Sequence, residues 1–208
     1  MKNLIAFTVF LITGTLFSQN VDLDLHGYSQ IYSSEDMTQE NLHNRLKEWV
    51  ALNYGSANDA IQLDSNEKII VKGIFSYFSK VFGNDINIDH TLLISIKENR
   101  YKVDLVLPQT VVVTKVYGQE IETNIFEEEL RNKVTFDVLV KRFTNSFRAI
   151  HESEKNYEKK LKRALTKKED VFKNQTLVFK QEFSGHLNNN VNALYQGIKE
   201  FVNRKDDW

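Results

Sequence analysis

The stretch 88-IDHTLLISIKENRYKVDLVL-107 decides how this chain folds. On its first arm Ile88, Leu92, Ile94 and Ile96 share one face, while Ser95 and Lys97 point the other way. On its second arm Tyr101, Val103, Leu105 and Leu107 alternate with Lys102 and Asp104. Successive side chains of a strand point to opposite faces, so this period of two predicts an antiparallel hairpin with one covered face and one wetter face. Asn99, in the turn, can supply the positive φ that a tight hairpin needs. Pro108 interrupts the run, and TVVVTKVY after it is expected as a further strand or the far side of a bend.

Toward the N-terminus lies 45-RLKEWVALNYGSANDAIQLDSNEKIIVKG-73. Leu42, Leu46, Trp49 and Val50 fall on one helical face, which predicts a helix that buries Trp49 rather than displaying it. Thr38 is its expected N-cap, Glu40 sits in the first turn where negative charge is favoured, and Gly55 is expected to end it in the left-handed conformation. AIQL and KIIVKGIFSY flank the polar DSNE, which reads as a second hairpin. Gly73 within a strand could mark close approach of a ligand, but a bulge or a helix packed closely over it is the commoner explanation. A first strand is expected around Tyr28–Ser33.

From about Glu127 the sequence becomes charged and helical. Phe143, Phe147, Ile150, Tyr157, Leu161 and Leu165 recur at steps of three and four, interrupted at Glu154, which predicts a helix hairpin or a short coiled-coil-like arm. Leu187, Val191, Leu194, Ile198 and Phe201 predict a further amphipathic helix. Strands followed by helices indicate an α+β layer with helices on one sheet face. The expected division is a signal peptide at 1–18, an α+β domain at 19–119, a helical insertion or arm at 120–175 and a closing C-terminal helix at 176–208.

The pattern T-x-x-N-L-x-N-R-x-x-x-W, followed by SANDAIQLDSNEKIIVKG and HTLLISIKENRYKVDL, resembles a bacterial family known as domain of unknown function 4468. Leu42, Asn44, Arg45, Trp49, Ser56, Ala57, Ile61, Gln62, Gly73, Arg100, Tyr101 and Lys102 carry the resemblance, which covers about residues 27–117. The family's turn glycine is Asn99 here. The resemblance implies a TATA-box-binding-protein-like fold, β-α-β4-α, and a secretion signal. It implies no activity, and the fold's name does not import DNA binding. The helical part at 120–175 has no counterpart in the pattern.

The chain has 208 residues, 41% hydrophobic and 26% charged, with one Pro and no Cys. Lack of Cys excludes disulfides, thiolate metal sites, a cysteine nucleophile and N-terminal lipidation through cysteine. Lys and Arg (27) nearly balance Asp and Glu (28), so no basic excess draws nucleic acid or anionic lipid non-specifically. Lys2 followed by an apolar run from Leu4 to Phe17 reads as a signal peptide cleaved after Ser18; the alternative is an uncleaved N-terminal helix. The run is shorter than the roughly 20 residues that span a bilayer. The mature chain is thus expected to be secreted or periplasmic.

No residue pattern points to a catalytic, cofactor or metal site, and none is assigned. Asp22, Asp24 and His26 could share a strand face as a weak metal site, but they lie at the start of the mature chain, where a solvated tail is the plainer reading. The five histidines (His26, His43, His90, His151, His186) show no ligand spacing, and His90 reads as a hydrogen-bonded core residue rather than a catalytic base. Glu127, Glu128, Glu129, Glu152 and Glu154 read as a solvated face. The basic run 158-EKKLKRALTKK-168 lacks interleaved aromatics and is flanked by Glu154, Glu169 and Asp170, so it reads as helix-supporting charge. Phosphate loops, nucleophile elbows and zinc-protease motifs are absent from the sequence. The leading expectation is a non-enzymatic binding module of the cell envelope, with an envelope protein as partner through the arm. The alternatives are a hydrolase of envelope or extracellular polymers using His90 or His186 near carboxylates, and nucleic-acid binding.

Overall fold

The computed structural model describes residues 23–24, 27–108, 110–116, 119–124 and 127–204. The two arms of 88–107 are neighbours, as their patterning requires. Strands β5 (Asn84–Lys97) and β6 (Arg100–Val106) pair antiparallel, with Leu92 opposite Leu105, Ile94 opposite Val103 and Ile96 opposite Tyr101. All six side chains are almost fully buried. Asn99 takes a φ of 59° in the turn. Around this pair grows a six-stranded sheet in the order β1-β2-β6-β5-β4-β3, with β1 (Leu23–Asp24), β2 (Gly27–Ser33), β3 (Ile61–Ser65) and β4 (Lys68–Ser79). All pairings are antiparallel.

One face of the sheet is closed by helices. Helix α1 (Gln39–Asn53) buries Leu42, Leu46, Trp49 and Val50, and the Thr38 hydroxyl caps it by accepting from the Asn41 N–H at 3.2 Å. Gly55 does not end this helix in the left-handed conformation. Tyr54 ends it in an extended one (φ −110°, ψ 123°), which sends its ring toward the sheet. A short helix α2 (Ala57–Ala60) leads into β3.

Helix α3 (Glu128–His151) and helix α4 (Tyr157–Asn203) form a hairpin. The boundary expected near residue 175 falls inside α4, a single helix of 47 residues, roughly 70 Å long. It is continuous because its apolar residues keep helical spacing from Leu161 through Phe172, Phe179, Phe183, Leu187, Val191 and Leu194 to Ile198 without a Pro. Its C-terminal part lies on the sheet: Phe179 meets Phe82 edge-on at 4.9 Å between centroids, and the Tyr195 hydroxyl donates to the Tyr28 carbonyl at 2.8 Å. Toward its N-terminus the ring partners are on α3, with Phe172 against Phe136 and Phe143, and Tyr157 against Phe147. Of the expected stripe, Ile150 is exposed.

TVVVTKVY does form a strand, β7 (Thr110–Val116), but its ladder partner is β8 (Gln119–Asn124), outside the main sheet. Residues 119–124 are therefore extended, although the helical segment was expected to start at 120. The expected signal peptide, with Asp22 and His26, lies outside the described residues, and Asp24 is described through its β1 backbone alone.

Arg45 ties α1 to the far end of α4. Its Nη1 donates to the carbonyls of Val202 at 3.1 Å and Arg204 at 2.5 Å, satisfying acceptors that the helix end leaves open. Replacing it, Arg45→Met, keeps the stem's packing and removes the charge-assisted bonds. The expected loss is about 1.5–3 kcal/mol of unfolding free energy by urea titration. No loss would show that solvent satisfies the helix end equally well.

Candidate functional site

A buried polar contact on the covered face sits where α1 ends over β4 and β5. Gly73 on β4 is directly opposite His90 on β5. The Tyr54 ring and the His90 ring occupy the space that a side chain at 73 would fill: a Cβ there would lie 2.6 Å from His90 Nε2 and closer still to Tyr54 Cε1. The Tyr54 hydroxyl and His90 Nε2 are 3.0 Å apart, and Phe75 stacks on the imidazole at 4.0 Å between centroids. His90 is buried, and its Nδ1 has no hydrogen-bond partner in the described structure. Burial holds its pKa down to about 4, against a smaller opposing pull from the Ile88 backbone. Burial also pushes the Tyr54 phenol up. At neutral pH both groups are uncharged.

Two hollows flank this knot. One, of about 460 Å³, lies between Trp49, Tyr54, Phe75, His90 and the α4 residues Asn190 and Leu194. The other, of about 530 Å³, lies beside Lys72, Ile74, Asp89 and Val106. Trp49 itself is 4% exposed, near Gly197 of α4. The indole is core, as its helical position predicts.

His186 is elsewhere, exposed on α4 and stacked on Tyr77 at 4.5 Å between centroids. Glu182, one turn earlier, spends its carboxylate on the Ser79 hydroxyl at 2.9 Å and the Lys80 N–H at 3.3 Å. His90 and His186 thus stack on Phe75 and Tyr77, and neither makes a described hydrogen bond with a carboxylate. The histidines that do are His43, 2.6 Å from Asp64, and His151, 2.6 Å from Glu154. Asp64 also accepts from Lys47 at 2.5 Å, which with His43 holds its pKa below the usual range. These are ties between α1 and β3 and across the α3–α4 turn. Glu154 also takes Lys160 as an ion-pair partner, so part of the basic run is internally paired. Among the described residues, no three His, Asp or Glu could hold a metal ion together.

The opposite face of the sheet carries exposed Ile31 (66%), Ile74 (61%) and Phe78 (58%). On the arm, a groove of about 420 Å³ lies between α3 and α4, lined by Phe136, Val140, Leu161, Leu165 and Phe172 with Glu158 and Lys162 at its rim. The arm was legible in the sequence as a partner surface through its apolar stripe, but the groove itself needs the helix pairing, and the exposed sheet residues need the strand register, to assemble.

A helix-covered antiparallel sheet of this order defines an α+β protein with a TATA-box-binding-protein-like fold. Residues 28–108 match the family described as domain of unknown function (DUF4468) with TBP-like fold. A TBP-like protein from Parabacteroides distasonis, known from a crystal structure, is similar over 89% of this chain and 99% of its own, at 13% identity and a TM-score of 0.48. No curated protein matches the sequence.

Two outcomes follow from the knot. Gly73→Ala forces the Tyr54 and His90 rings apart and should cost about 1–3 kcal/mol in urea unfolding; an unchanged midpoint would mean the rings yield freely. His90 protonates in the unfolded chain near its ordinary 6.5 but in the folded one only near about 4. Its contribution is therefore fully present above pH 6.5 and is lost as pH falls toward 4. Unfolding measured across that window should show a slope that His90→Gln removes; an identical slope in the variant would contradict a buried neutral imidazole.

Proposed function

We propose that the chain is a non-enzymatic interaction module exported to the cell envelope, with the α3–α4 arm as its docking element for an envelope protein. The apolar groove on the arm carries this reading. Phe136, Val140, Leu161 and Leu165 form a continuous apolar strip with charged rims, the anatomy of a docking patch rather than a reaction cleft. Buried His90, held neutral between Tyr54 and Phe75, also suits a scaffold better than proton transfer. Export rests on the apolar run from Leu4 to Phe17 after Lys2, ending at Ser18. Among the described residues no helix is long and apolar enough to cross a membrane.

The test is site-specific photo-crosslinking in cells from a probe at Lys162, with Lys72 on the sheet as the comparison position. A discrete envelope-protein adduct from 162, absent from 72 and lost in Leu165→Glu, is the expected result. A mature chain beginning at Gln19 in the exported fraction is expected alongside. A strict monomer with no adduct from the arm, or a chain retained intact in the cytosol, would refute the reading.

A further inference from the structure

The uncovered sheet face can be read row by row from its register. Arg100 on β6 stands directly opposite Lys97 on β5. In the next row Ile31, Lys102, Ser95 and Lys68 stand side by side on β2, β6, β5 and β4. Directly paired residues share a face, and successive rows on one face are roughly 7 Å apart. Two adjacent rows thus gather four cations around Ser95.

Among the described residues only Lys102 of these four has an ion-pair partner, Asp104 at 2.7 Å. The carboxylate in the turn, Glu98, is directed at α1, where it accepts from the Gln39 N–H at 3.0 Å. Like charges directly opposite one another weaken a sheet. The Lys97–Arg100 pair is therefore a local cost, the kind of conflict that marks functional sites. Over it lies a hollow of about 340 Å³, lined by Ile31, Ser95, Lys97, Arg100, Tyr101 and Lys102. That size suits a small molecule.

The face then turns mainly acidic. Asp104 stands in the third row opposite Leu93, and Asp89 and Asp85 follow along β5 opposite Ile74 and Phe78, with Lys72 opposite Thr91 in the row between Asp104 and Asp89. A long polyanion laid on this face would pass from attraction into repulsion, whereas a compact anion meets only the basic rows. We propose that this end of the sheet binds a small organic dianion, whose phosphate or carboxylate groups are held by Arg100 and Lys97 in one row and Lys102 and Lys68 in the next. Arg100 grips one group through paired N–H donors, the lysines act as point charges, and Ile31 covers the ligand's carbon. The site is separate from the arm and stands whether or not the arm docks a partner.

Calorimetric titration of the mature chain at low ionic strength and about pH 7.5 with glycerol phosphate and, separately, succinate tests it. Saturable one-to-one binding of at least one probe is expected, and the tighter one identifies the anionic group. Arg100→Gln and Lys97→Gln should each weaken it by about fivefold or more, a typical loss for one charge-assisted contact. Lys72→Gln, on the same face but two rows away, should change it less than about twofold. Without ligand, Lys97→Thr should raise the thermal midpoint. No saturable binding of either probe in the millimolar range, equal weakening by Lys72→Gln, or a lowered midpoint in Lys97→Thr would overturn the site.

Discussion

Exclusion of water from one side of the β5–β6 pair is the constraint on which the rest depends. Ile88, Leu92, Ile94 and Ile96 on β5 and Tyr101, Val103 and Leu105 on β6 present a flat apolar surface that no strand alone can hide. Helix α1 brings Leu42, Leu46 and Trp49 to it, and α4 brings Val191, Leu194, Tyr195 and Ile198. In this layer the Tyr195 hydroxyl meets the Tyr28 and Val103 carbonyls and His90 Nε2 meets Tyr54, while His90 Nδ1 and the Tyr77 and Tyr101 hydroxyls are buried without a hydrogen-bond partner in the described structure. Deleting any large member leaves a cavity that costs several kcal/mol, about 2–5 for Ile or Leu.

Covering one face has a consequence for the other. Period-two alternation sends every second residue of β4, β5 and β6 to the uncovered side, so sealing the core also lays out an ordered grid of side chains. That grid is graded by charge, with Lys97, Arg100, Lys102 and Lys68 at one end, Asp104 and Lys72 between, and Asp89 and Asp85 at the other end. The arm arises in a comparable way. Helix α4 is needed over the sheet only from about Phe179 onward, yet its apolar spacing continues to Leu161, and α3 is the surface that the extra length packs on.

Much of the fold could be read in the residues themselves. Alternation revealed the 88–107 hairpin, Asn99 its turn, helical spacing the burial of Trp49, and the matched motif the family. Three features escaped for physical reasons. Tyr54 rather than Gly55 ends α1, because its ring gains a place over Gly73 that a local capping rule does not contain. QEIETN at 119–124 has few β-formers and becomes a strand by pairing with β7, a tertiary effect. The cation rows need the register between β4, β5 and β6, which places Lys68, Lys97 and Lys102 together although they are scattered in the chain.

The division of the sheet into a sealed and an open side is tested most directly by thiol labelling, because the chain has no cysteine of its own. Val71 is fully buried and Lys72, its neighbour on β4, is exposed. Under native conditions Lys72→Cys should react at the rate of a free thiol, while Val71→Cys should react only as fast as the protein opens. Equal rates at the two positions, or faster labelling at 71, would contradict the account.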